Sequence, residues 1–104
     1  MLPIEQGNIL SVERVKGPVL VVSKKFFNSS EMAIVCPVVK NAVPDPLHIE
    51  IVTKEIDGIV LCEQMKLLDL RIRGFKKLDR VKYEDRINIM DAIQSIFDYE
   101  ITKR

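Results

Sequence analysis

Up to about residue 80 the apolar side chains come in short runs rich in Val and Ile; from about Tyr83 they recur with a helical period. Runs this short do not make buried helices, and branched side chains suit a pleated surface. Strands are therefore predicted over "NILSVERV", "PVLVVSKK" and "EMAIVCPVV". Asn28, Ser29 and Ser30 signal a turn, and the close spacing of the second and third strands predicts a hairpin or meander. Pro44 and Pro46 cannot sit in a central ladder and mark an exposed loop. In "LHIEIV", Leu47, Ile49 and Ile51 alternate with His48 and Glu50, and Asp57-Gly58 predicts a tight turn into "IVLCEQ". "MKLLDLRIR" fits a short helix or a bent strand, and "FKKLDRV" fits a last strand. Ile89, Ile93, Ile96 and Phe97 then share one face of a helix expected to end near Glu100. Glu84 and Asp85 suit its first turn, Lys82 is a poor cap, and Lys103 and Arg104 should fray. The predicted fold is mainly β, a small half-open antiparallel barrel closed by a C-terminal helix.

The chain has 104 residues, 47% of them apolar and 30% charged, with a formal charge of +1. That balance predicts a single globular domain over 1–104, and near-neutrality does not exclude a local basic face. No apolar run approaches the ~20 residues of a membrane helix. "MLPIEQGNIL" lacks the basic start of a signal peptide. Cys36 and Cys62 lie far apart in apolar runs, so reduced, buried thiols in a cytoplasmic protein are expected.

Several chemistries can be set aside. The sequence has no CxxC, no HExxH and one histidine, His48, whose plain reading is a half-exposed sheet residue. No serine sits in a nucleophile elbow, and no glycine-rich phosphate loop is present. Neither a metal nor a cofactor is expected. The remaining polar features are modest. Lys24 and Lys25 read as solvated edge lysines. Lys40 and Asn41 open a loop, and Glu63-Gln64 closes an apolar run. "RIRGFKK" gathers Arg71, Arg73, Lys76 and Lys77, either a solvated loop or a phosphate-contacting patch.

The order of segments carries more information than any one motif. "GNILSVERVKGPVLVVS", "MAIVCPVVKN", "PLHIEI", "GIVLCEQMKLLDL" and "RINIMDAIQSIFDY" follow one another as in the PemK/MazF family of toxins from toxin–antitoxin systems, which the chain resembles over nearly its whole length. The resemblance implies an SH3-like barrel, a homodimer, an antitoxin peptide as partner and a groove for single-stranded RNA. Active members of that family cut mRNA without metal. Such cleavage needs a base for the ribose 2′-hydroxyl, an acid for the 5′-oxygen and positive charge for the phosphorane. In the family, an Arg before the second-strand Pro and a Thr or Ser ending the third strand line the site. Here those positions are Gly17 and Val39, and the long loop between the first two strands is reduced to "SVERVKGP". Lys16 and Glu13 are the weak substitutes at hand, and Lys lacks the planar fork of Arg. Lys16, Lys40, Asn41, Gln64 and Lys66 are the candidate RNA- or partner-binding residues. Two readings follow: a nuclease with a rearranged site, or an inactive member that binds RNA, an antitoxin-like peptide or another protein, as gyrase-inhibiting toxins of the same fold do.

Overall fold

The computed structural model describes residues 3–100. Its elements are β1 (Asn8–Val12), β2 (Val19–Val21), α1 (Lys25–Asn28), β3 (Met32–Val39), β4 (His48–Val52), β5 (Asp57–Leu61), β6 (Lys66–Asp69), β7 (Phe75–Arg80) and α2 (Tyr83–Phe97). The strands form one sheet in the order β4-β5-β3-β2-β1-β7, with β6 added beside β3. The mainly β half-barrel with its C-terminal helix is thus the fold of this chain.

β3 is the spine. Its first half pairs with β6, Ala33 opposite Leu68, and its second half pairs with β5, Val38 opposite Val60. On its other side it pairs with β2, Val19 opposite Pro37. Val38 donates to the Pro18 carbonyl at 3.0 Å, on the β2 side. By alternation the nitrogen of Pro37 faces the changeover between β6 and β5, where no ladder bond is given up.

Period-2 alternation explains the unbroken apolar runs of β2 and β3, because both faces of the sheet are covered. Leu20, Val22, Cys36 and Val38 pack with Ile51, Val60, Ile89 and Ile93, under α2 and the β4–β5 hairpin. Val19, Val21, Ala33 and Val35 pack on the other face with Ile4, Leu10, Leu68 and Leu70. Each fully buried aliphatic side chain contributes about 1.5–3 kcal/mol.

Four local expectations change. The Asn28–Ser30 turn is preceded by the short helix α1, whose Asn28 side chain donates to the carbonyls of Ile4 at 2.9 Å and Ser23 at 3.0 Å. The turn before β5 lies at Thr53–Ile56, where Thr53 donates from its backbone to the Ile56 carbonyl at 2.8 Å, and Asp57 already pairs with Val52. "MKLLDLRIR" resolves into strand β6 and a turn. Helix α2 stops at Phe97, because Asp98 adopts an extended ψ of 137°. On α2 only Ile89 and Ile93 are buried; Ile96 and Phe97 are exposed. Lys82 is the N-cap, without a side-chain capping bond. Lys103 and Arg104 lie outside the described residues.

Candidate nucleic-acid interface

The link from β1 to β2, Glu13 to Pro18, is kept short by two left-handed residues. Arg14 has φ 67° and Gly17 has φ 76°. Glu13 donates from its backbone to the Gly74 carbonyl at 2.8 Å, and the Arg73 guanidinium donates back to the Glu13 carbonyl at 3.3 Å. These bonds pin the link to the turn after β6.

The consequence is an open groove of about 570 Å³ between the link and β6. Lys16, Gln64 and Lys66 line it, and Arg14 and Arg73 join them. Its floor is apolar, made by Val19, Val35, Pro37, Leu67 and Leu68. Among the described residues no carboxylate, imidazole or hydroxyl side chain lines it, so the groove attracts anions but offers no side chain placed to act as a general base.

The other expected residues sit elsewhere. Lys40 and Val39 line a separate pocket of about 120 Å³ with Pro18 and Glu55. Asn41 is exposed and lines neither. A Cβ on Gly74 would stand 3.5 Å from the Glu13 carboxylate, so that group lies over Gly74 instead of in the groove. Carrying the Val19–Pro37 register two residues further sets Gly17 opposite Val39. A side chain at Gly17 would meet open space, its nearest neighbour being the Val38 carbonyl at 3.9 Å, but the backbone there is left-handed. Holding a non-glycine residue in that region costs roughly 1–2 kcal/mol.

Of the basic cluster, Arg73 reaches the groove, whereas Arg71 holds Asp69 through two bonds of 2.9 and 2.8 Å. The Arg71 guanidinium pushes the Asp69 carboxyl down to about 2. Arg14 carried no signal of its own in the sequence, since its position depends on the left-handed turn. Arg73 was marked by its cluster alone.

His48 is more covered than expected, its side chain 13% exposed. Its Nδ1 lies 2.6 Å from the Val43 carbonyl and its Nε2 3.0 Å from the Glu63 carboxylate. Both partners are acceptors, so only the doubly protonated ring satisfies both. The Glu63 bond first, then the Val43 carbonyl, holds the His48 pKa above its ordinary 6.5. Cys36 and Cys62 are free and buried. Among the described residues, no three His, Cys, Asp or Glu side chains come together to hold a metal ion, and no helix is long and apolar enough to cross a membrane.

The profile of the PemK-like, MazF-like toxins of type II toxin–antitoxin systems matches residues 7–97. The chain belongs to this family. Among solved structures, MazF in a MazE–MazF complex from Deinococcus radiodurans superposes with a TM-score of 0.84 at 20% identity, covering 93% of this chain and 98% of that one. An endoribonuclease from a mycobacterial species gives 0.81 at 16%, covering 93% of both chains. The Mycobacterium tuberculosis toxin MazF-mt6 gives 0.68 at 12%, covering 89% and 99%. No curated sequence relative matches. In this toxin-family chain, then, the family fold is kept at low identity.

Proposed function

We propose that this toxin-family protein binds single-stranded RNA in the groove of Lys16, Lys66, Arg14 and Arg73 without cutting it. The observation that carries this reading is the composition of the groove. Four cations beside an apolar floor suit a phosphate backbone with its bases turned inward. Attack by a 2′-hydroxyl needs a group that takes its proton, and the lining side chains supply none. Glu13 lies over Gly74, and Glu63 is engaged by His48.

The test is binding of labelled single-stranded RNA in EDTA, followed by a gel for cleavage. The expected result is saturable binding, weakened at least tenfold by Lys16→Ala with Lys66→Ala, and intact RNA. Cleavage that Lys16→Ala abolishes would instead assign a nuclease with a rearranged site. No binding across varied RNAs would end the RNA reading. Gly17→Arg with Val39→Thr reports on lineage only if the variant folds, given the left-handed backbone at Gly17.

A second reading is favoured by the apolar floor, where Leu67 is exposed. An acidic peptide with apolar side chains suits the same groove, and solved relatives include MazE–MazF and an endoribonuclease with its cognate antitoxin. An antitoxin of that kind would compete with RNA. We further propose a homodimer, for which the exposed Ile96, Phe97 and Tyr99 offer apolar area; the mass in solution tests it.

A further inference from the structure

The half-barrel leaves its two outermost strands, β4 and β7, unpaired with each other. Asp79 of β7 forms a strap to the β4–β5 turn, its Oδ2 accepting from the Glu55 backbone at 2.9 Å while its Oδ1 accepts from the backbone of its neighbour Arg80 at 2.8 Å. Beside this strap, where β7 passes into α2, lies an open cleft of about 400 Å³. Among the described residues, Lys54, Arg80, Lys82 and Arg86 line it, with Asp79 as the one carboxylate. None of the four cations forms an ion pair within 4.0 Å among the described residues. Tyr83, 65% exposed, stands at its rim, and the Arg86 guanidinium lies 5.4 Å from the centre of its ring. The groove of Lys16 and Lys66 is lined by other elements, the β1–β2 link, β2, β3 and β6.

From this arrangement we propose that the seam cleft is a second contact site for single-stranded polynucleotide, taking a base against Tyr83 and the flanking phosphates on Lys82, Arg86, Lys54 and Arg80. This rests on the RNA-binding reading and extends it to a longer strand. Four unpaired cations against one strapped carboxylate give the cleft a net positive charge, which selects an anionic ligand. The exposed ring selects among anions. A flat face already flanked by a guanidinium continues as a stack with a nucleobase, and every base has such a face. A cleft of this size lies within the range of small-ligand sites. The volume suits one nucleotide, so the cleft would hold a short stretch of a strand and not a duplex.

The experiment uses the full chain and a 20-nucleotide RNA carrying 2′-O-methyl groups, which removes the nucleophile for cleavage, and 5-iodouridine for photo-crosslinking. Adducts should map to the Tyr83 peptide as well as to groove peptides. Tyr83→Ala should weaken binding by about fivefold to hundredfold. Lys82→Ala with Arg86→Ala should flatten the slope of log affinity against log salt by about 1.4. The same sequence as DNA distinguishes RNA from a general single strand. Adducts confined to the groove, with the salt slope unchanged, would overturn the second site and leave the first. A wild-type chain that binds neither polymer would overturn both. Displacement by polyglutamate of the Tyr83 adduct but not the groove adducts would reassign the cleft to an acidic peptide.

Discussion

At the scale of single residues, His48 and Glu63 show how one contact can define a pH window. His48 has a raised pKa, so its contribution is complete below the ordinary 6.5 and is lost as pH rises through the raised value. Glu63 is lowered from 4.5, first by the His48 bond, so its contribution is present above 4.5 and lost as pH falls through the lowered value. The pair therefore grips best between those limits, and what it grips is the loop after β3, through the Val43 carbonyl. Asp45, in the same loop, adds a weaker field that also favours the charged ring. The protection of the Leu47 amide, exchange corrected for its intrinsic pH dependence, should fall as pH rises through the raised His48 pKa, and His48→Gln should remove that fall. A His48 ring that titrates at or below 6.5 would refute the arrangement.

At the scale of elements, Gly58 shows how packing between strands overrides the composition of a turn. Asp57-Gly58 has the composition of a tight turn, yet it lies within β5. The glycine is there for packing. A Cβ on it would stand 2.7 Å from Val38 Cγ1 and 3.0 Å from the Val39 carbonyl of the neighbouring strand. Gly58→Ala should cost about 1–3 kcal/mol, the usual range for overpacking, and lower the Tm by several degrees. Thermal unfolding checks it, and an unchanged Tm would show that β3 yields. The same distinction separates what the sequence could reveal from what it could not. Strands and α2 were readable because alternation and helical period are local. Gly58 answers to a strand some twenty residues earlier. Gln64 and Lys66 match groove positions through family order and Lys16 stands out only as a charge beside Gly17; the three line one groove. Arg14 reaches the groove only through a left-handed turn, and Arg73 through a bond to Glu13. No local pattern encodes the first, and only the basic cluster points to the second.

At the scale of the whole molecule, the two thiols report on the integrity of the sheet. Cys36 lies on β3 and Cys62 just after β5, and both are fully buried in the core under α2. Burial, reinforced by Cys62 and Glu63, pushes the Cys36 thiol up to about 12; burial and Glu63 push Cys62 to about 11. Neutral and covered, they should react with iodoacetamide only when the fold opens. Labelling rates should follow global unfolding measured by circular dichroism, and rapid labelling of the native chain would contradict the shared core. The Asp79 strap has another consequence. A sheet that does not close on itself ends in strands whose outer backbone groups can recruit a second chain, and the strap ties β7 to the turn that follows β4. β7 also carries Lys76, Lys77 and Arg80, which discourage such recruitment, whereas β4 ends in the exposed Val52. Holding the turn beside Val52 in place thus also works against edge-to-edge association, and β4 is the strand with the greater need of it.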